Sequence, residues 1–273
     1  MPQISQDQRT VTFELLQPYS SVKAFSTLRK GGVSKGAYAS LNCGLYTKDE
    51  GDRIRKNLQA AFFSADVHPR EVFLPHQVHG SRILAIEERH LGMGKEEKKA
   101  LLEGWDALMT KQKGILIGVS TADCIPVILY DPVQEACAAI HAGWKGTLSG
   151  ITRSAVRAMK EAFKCQAGDI LSVIGPGIRL ESFEVGDEVY QAFLQAGYDM
   201  DRISRMNAAS GKHHIDLPMV NRLQMEEEGI LVEHIQDSGI CTRNCHEEFF
   251  SARYLGVESG RILTAVMMED SPI

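Results

Sequence analysis

The stretch from Gly114 to His141 constrains the fold more than any other. It carries three apolar runs in succession, GILIGV, IPVILYDP and EACAAIH. Each has the length and aliphatic content of a strand, and Pro132 and Gln134 mark the turn between the last two. Three consecutive strands break any regular alternation of strand and helix, so the chain reads as α+β with mixed strand order.

The flanking segments supply the remaining elements. VTFELL and VKAFSTL read as strands, and the turn-rich RKGGVSKGAYASLN has glycines and serines that leave the backbone free to approach a ligand closely. GDRIRKNLQAAFFSAD sets Ile54, Leu58, Ala61 and Phe62 at helical spacing. EVFLPHQVHGSRILAIEE reads as two short strands around a histidine-bearing turn, and GMGKEEKKALLEG as a surface insertion or short helix. After His141, AGWKGTLSG leads into a helix with Ile151, Ala155, Ala158, Met159 and Ala162 on one face, which puts His141 at a strand-to-helix mouth. Beyond it come a strand in LSVIGPGI, a helix in DEVYQAFLQAG ending at Gly197, a helix in LPMVNRLQMEEEG capped by Asp216 and ended by Gly229, and a strand in RILTAVMM. No repeat, low-complexity tract or linker interrupts the series, so one domain over residues 1–273 is expected.

A formal net charge of −5 and a pI near 6.0 give no general attraction to a polyanion, so nucleic acid is not the expected partner. No run reaches the ~18 apolar residues of a membrane span. The opening MPQISQDQRTVTF lacks the basic-then-apolar layout of a signal peptide, and a cytoplasmic location is expected. Six scattered cysteines then read as free thiols or ligands, not as a disulfide framework.

Three residues with metal-binding side chains stand where strands give way to loops: His79 in PHQVHG, Cys124 in TADC and His141 in AIHAGWKG. Imidazole and thiolate together suit Zn²⁺, and three protein ligands with a fourth position open is the arrangement of a catalytic zinc. The residues alone leave two other readings standing. A cysteine beside an apolar strand is commonly a small buried hydrophobe, as expected of Cys43 and Cys137. Alternatively Cys124 is a nucleophile with His141 as its base, the arrangement of a cysteine hydrolase. A multicopper oxidase is disfavoured, because the nine histidines include no His-X-His pair. Cys241, Cys245 and His246 form a second cluster, CTRNCH, that lacks a fourth ligand nearby. His213 and His214 are expected to lead into the Asp216-capped helix, and His76 to sit behind the site or in the core.

In order along the chain, RKGGVSKGAYASLN, PHQVHG, DALMT, STADCIPVILYD, AAIHAGWKGT, IGPGI, HIDL and CT…FFSAR…GR resemble the laccase-domain family. These YfiH-type proteins were once labelled polyphenol oxidases and later assigned as purine nucleoside phosphorylases. The match runs from about Arg29 to Arg261. The resemblance implies a four-layer α/β/β/α sandwich with mixed sheets, related to the cytotoxic-necrotizing-factor fold. It implies a zinc site of His79, Cys124 and His141, with copper as the alternative metal. It also implies phosphorolysis of adenosine, inosine and S-methyl-5'-thioadenosine, with adenosine deamination in the same pocket, so purine nucleosides and phosphate are the expected partners. Two departures stand out: the tail motif reads Ser251, Ala252, Arg253, Tyr254 with one arginine, and Trp105 precedes Asp106 where a small residue is common.

Phosphorolysis needs cations or backbone N–H groups around an anion, and Arg29, Lys145 and Arg253 are the candidate donors. The Gly31–Ser34 stretch, with Gly32 and Ser34, is expected to close over the ribose, and Asn42 of the same loop joins the substrate-binding set. Deamination needs an activated water and a proton carrier. The H-x-E motif of zinc deaminases is absent, which leaves Asp106 or Asp123, with turn capping as the alternative role of Asp123. The rival activity is a cysteine hydrolase or amidase built on Cys124 and His141, in the setting of peptidoglycan-precursor editing to which some relatives are linked. A non-enzymatic nucleoside sensor would use the same pocket.

Overall fold

The computed structural model describes residues 2–269. The first part of the chain forms β1 (Gln3–Ile4), β2 (Thr10–Thr12), β3 (Val22–Thr27), α1 (Gly51–Ser64), β4 (Glu71–Phe73), β5 (Ile83–Ile86) and α2 (Lys95–Leu101). The middle forms β6 (Ala107–Thr110), β7 (Ile115–Thr121), β8 (Ile125–Asp131), β9 (Ala136–Ala142), α3 (Trp144–Leu148), α4 (Ile151–Phe163) and β10 (Leu171–Ile174). The last part forms β11 (Glu184–Val185), α5 (Asp187–Gln195), α6 (Met200–Ile203), β12 (Ser204–Asn207), β13 (Lys212–Ile215), α7 (Leu217–Glu227), β14 (Ile235–Asp237), α8 (Ala252–Leu255) and β15 (Ile262–Met268).

Two six-stranded sheets dominate, in the orders β1-β2-β3-β15-β7-β4 and β14-β10-β8-β9-β6-β5. Most pairs are antiparallel, but β4–β7, β5–β6 and β10–β14 are parallel, so both sheets are mixed. Side-chain alternation along each strand then fixes the layers. On β7, Ile115, Ile117 and Val119 meet Ile128, Tyr130, Cys137 and Ala139 of β8 and β9 between the sheets. Leu116, one step out of phase, packs with Ile54, Leu58 and Ala61 of α1 on the outer face. Val127, Leu129, Ala138 and Ile140 point away from the first sheet and pack on Ile151, Ala155, Val156 and Met159 of α4 and on Val220 and Met225 of α7. The result is the α/β/β/α sandwich, and it explains why three central strands are apolar on both faces: each face is covered.

The helix ends follow local chemistry. Asp216 accepts the Met219 N–H at 3.0 Å to cap α7, and Gly229, at φ 96°, ends that segment in a conformation that favours glycine. Several expectations need correction. Of VTFELL only Val11 and Thr12 are strand, as the end of β2; Glu14–Leu16 form a 3-10 segment with Leu16 buried in the intersheet core. Ala162 is exposed, and Val156 takes its place on the buried face of α4. GKHHIDL does more than lead into a helix: β13 pairs with β11 and β12 in a third sheet, and His213 stacks on Tyr190 at 3.7 Å. No helix among the described residues is long and apolar enough to cross a membrane.

Candidate metal centre and its cavity

The turn after β7, the end of β9 and the loop after β4 converge at one end of the sandwich. Cys124 lies in the turn between β7 and β8, and His141 lies near the end of β9, whose Cα partner on β8 is Pro126. Gln77 brings the third segment in. Its side-chain amide donates to the Ser120 carbonyl at 2.9 Å and accepts the Ser120 N–H at 2.8 Å, acting as one more peptide unit along the edge of β7. His79, two residues on, thereby stands beside Cys124 and His141, and the three ligand atoms lie within 4.8 Å of one another. Among the described residues this is the one group of three metal-donor side chains, so Cys241, Cys245 and His246 do not make a second; Cys241 Sγ instead lies 3.4 Å from Ser182 Oγ.

Asp106 organises two of the three. Its Oδ1 accepts from the His79 N–H at 2.9 Å and from His141 Nδ1 at 2.8 Å, and its Oδ2 accepts from the Gly80 N–H at 2.7 Å. The turn it gathers is unusual, with His79 at φ 59°, a left-handed value that non-glycine residues adopt rarely. Burial alone would raise the Asp106 pKa, but the His141 hydrogen bond and charge and the backbone N–H groups outweigh it and hold the carboxyl below its ordinary value. An ionised Asp106 makes His141 Nδ1 the donor and leaves Nε2 for the cavity side.

The remaining electrostatics pair Cys124 with His141. Burial pushes the Cys124 thiol up, but the His141 charge and hydrogen bonds from His141 and His79 pull it down to about 6. Burial pushes His141 down, but the Cys124 thiolate and Asp106 raise it to about 9. Each group thus favours the charged form of the other, and the thiolate is the form of Cys124 that would hold a metal ion. A cradle for such an ion is visible at Gly143. A Cβ built there would stand 3.0 Å from His79 Cδ2, 3.2 Å from Cys124 Sγ and 3.6 Å from His141 Cε1, so a side chain would crowd the three donors. The donor set, two imidazoles and a thiolate around a spot kept free by a glycine, fits a tetrahedral metal with one position left open.

The three donors line a cavity of about 700 Å³ together with, among others, Tyr38, Tyr46, Lys48, His76, Asp123, Arg253 and Arg261. Asp123, at φ 89°, uses both oxygens: Oδ1 accepts from Thr242 Oγ1 at 2.7 Å and Oδ2 from the Arg253 N–H at 2.6 Å. Asp106 is 0% exposed and lies behind His141, outside the lining. Trp105, next to Asp106 in the chain, is also outside the lining: its indole N–H donates to the Leu101 carbonyl and Arg82 stacks 3.9 Å above its ring.

The five residues expected to contact substrate do not reach the cavity wall. Arg29 spends its guanidinium on the Ala39 and His246 carbonyls. Gly32 is packed so tightly that a Cβ would meet the Ser40 carbonyl at 2.3 Å. Ser34 donates to Asp49, and Asn42 bonds Thr47, Asp49, Gly44 and Arg261. Lys145 is exposed on α3 beside the Trp144 ring. The loop acts indirectly: its buried polar network presents Tyr38, Gly44, Tyr46, Thr47 and Lys48 to the cavity. Sequence reasoning missed Arg261 and the stack of Tyr46 on His76, 4.3 Å between ring centres. The GR that ends the run of motifs was the available signal for Arg261.

Fold and site together define a class: a two-sheet sandwich with a histidine–cysteine–histidine donor triad at the end of its central strands. Residues 23–269 match the family model described as multi-copper polyphenol oxidoreductase laccase. The chain belongs to this family, the YfiH-type laccase-domain proteins. It is 42% identical to a Bacteroides thetaiotaomicron protein named purine nucleoside phosphorylase, over 98% of this chain and 99% of that one. It is 38% identical to adenosine deaminase RL5 from an unknown prokaryotic organism, over 90% of this chain and 93% of that one. The crystal structure of YlmD from Geobacillus stearothermophilus superposes with a TM-score of 0.89 at 28% identity, covering 98% of this chain and 100% of that one.

Proposed function

We propose that this chain, a single domain over residues 1–273, is a zinc-dependent purine nucleoside phosphorylase acting on adenosine, inosine and S-methyl-5'-thioadenosine, with adenosine deamination in the same cavity. The observation that carries the reading is the convergence of His79, Cys124 and His141 in the wall of a cavity large enough for a nucleoside. The names of the relatives support the substrate class. Six free cysteines fit a cytoplasmic setting.

Zinc held by the triad supplies Lewis acidity. The residues around it hold and orient. Asp106 fixes the tautomer of His141 and the backbone turn that carries His79. Asp123 pins the Arg253 backbone at the cavity wall. We assign both carboxylates to positioning, because their oxygens already accept N–H or O–H bonds. Phosphorolysis exchanges the C1′–N9 bond for a C1′–O bond to phosphate, and the departing purine keeps the bonding pair and takes a proton. Deamination replaces the C6 amino group with oxygen from water and releases ammonia.

The test is phosphate-dependent conversion of inosine to hypoxanthine and ribose 1-phosphate by the zinc-loaded protein. Turnover that requires phosphate and disappears in Cys124→Ala supports the reading; a loaded wild type that leaves inosine and adenosine untouched refutes it.

One observation favours a second reading. Cys124, His141 and Asp106 form a series of lowered-pKa thiol, imidazole and orienting carboxylate, the geometry of a cysteine hydrolase or amidase. A thiolate bound to zinc is a poor nucleophile, so the two readings separate on the metal. Amidase turnover that rises when zinc is stripped would favour the hydrolase.

A further inference from the structure

Arg261 has no task in the reading above, although it lines the cavity. It stands at the head of β15 with its backbone pinned on both sides: its N–H donates to Asn42 Oδ1 at 2.9 Å, and its carbonyl accepts the Cys43 N–H at 3.1 Å. Its guanidinium donates to the carbonyls of Val257, Ser259 and Gly260, all neutral acceptors. Arg179, also part-buried, is paired with Asp237 instead. Burial lowers the pKa of both arginines; the Asp237 hydrogen bond and charge outweigh it at Arg179, whereas the charges of Cys124, Tyr38, Asp123 and Glu258 do not outweigh it at Arg261. The other arginine and lysine side chains in the lining, Lys48 and Arg253, are exposed, and Lys48 is paired with Glu258. A part-buried guanidinium whose hydrogen bonds all go to neutral carbonyls is a site prepared for an anion.

Two residues with hydroxyl side chains share the cavity lining with it. Thr121 Oγ1 and Ser259 Oγ are buried without a hydrogen-bond partner, and both residues, each 1% exposed, belong to the lining. Strand register sets Thr121 opposite Ile262, the neighbour of Arg261, and the Ser259 carbonyl accepts from Arg261 at 2.5 Å. A buried hydroxyl left unpaired is destabilising, because it has given up its water hydrogen bonds without replacing them. Two of them in one lining with a guanidinium whose hydrogen bonds all go to neutral carbonyls call for a ligand with several acceptor oxygens and negative charge.

We propose that Arg261, Thr121 and Ser259 form the oxyanion subsite of the cavity and take inorganic phosphate. The assignment rests on the phosphorylase reading and replaces Arg29 and Lys145, which lie away from the cavity wall.

Thr121→Val and Ser259→Ala remove the two hydroxyls without breaking a hydrogen bond of the fold, and Arg261→Lys keeps the charge with fewer donors. In the zinc-loaded enzyme the Thr121→Val/Ser259→Ala pair is expected to raise the phosphate KM by about tenfold or more and leave the inosine KM unchanged. Its melting temperature should hold or rise, since unpartnered buried hydroxyls are lost. A purely structural role would lower the melting temperature and leave the phosphate KM alone. An unchanged phosphate KM in both this pair and Arg261→Lys overturns the assignment. Calorimetric titration of inorganic phosphate, and separately of adenosine 5'-monophosphate, tests the subsite without turnover. Inorganic phosphate that binds the wild type and not the double variant sustains the subsite even if inosine is not cleaved, an outcome that would refute the phosphorylase reading alone. Binding of the nucleotide without binding of inorganic phosphate overturns the proposal.

Discussion

At the scale of the residue, Gly143 and Asp106 set the geometry of the centre without donating to a metal. Gly143 has φ −66° and ψ 167°, ordinary for any residue, so its reason for being glycine is the space between three ligands. Gly143→Ala is therefore expected to fold normally by circular dichroism and to purify with less than stoichiometric metal. Normal metal content would mean that the donors do not close on that spot. Asp106→Asn exchanges one acceptor oxygen for an amide donor facing N–H groups, and metal affinity measured by chelator competition is expected to fall about 10–100-fold. The ion pair makes a pH prediction. Binding needs the Cys124 thiolate, present above about 6, and a neutral His141, present above about 9, so acidification weakens binding. Calorimetry of zinc binding at pH 7.5 in buffers of different ionisation enthalpy should show release of about one proton from this pair, and more near pH 5 where the thiol is also protonated. Binding that strengthens on acidification would contradict the account.

At the scale of the element, the site is built from ends. β7, β8 and β9 are held by packing on both faces, while the turn after β7 carries Cys124 and the last residues of β9 carry His141. The helices on the outer face support this frame at a distance, which separates stability from function. Asp216→Ala removes the cap of α7 and is expected to lower stability by about 1 kcal/mol in denaturant titration. Metal content should be unchanged, because the Asp216 cap bonds the Met219 N–H and α7 packs on α3, α4 and α6. Loss of metal in that variant would show that the outer helices and the centre are coupled. These helices were readable from sequence because period and capping are local: α1, α4, α5 and α7 stand where spacing put them. β11, β12 and β13 were not, because strands of two to four residues carry little pattern and exist through their pairing.

At the scale of the whole molecule, the sandwich brings together residues far apart in the chain. His79, Cys124 and His141 were legible as a set because their residue types share a chemistry and the run of motifs resembles a known family. The roles of Asp106 and Asp123 were not, since which N–H groups a carboxylate gathers depends on three-dimensional turns. Arg29, Gly32, Ser34 and Asn42 looked like ligand contacts because glycines and polar side chains signal freedom and hydrogen bonding but not direction; in the fold they hold their own loop together and, through Arg29 on His246 and Asn42 on Arg261, tie it to the end of the chain. Arg261 escaped for the converse reason: only the pairing of β15 with β7 sets it near Thr121. The central claim is that one metal ion belongs to one triad, and metal analysis of purified wild type beside His79→Ala, Cys124→Ala and His141→Ala tests it most directly. The account predicts about one equivalent of zinc per chain in the wild type and its loss in each variant. Zinc retained in all three variants, or a wild type that binds none when zinc is supplied, would contradict it.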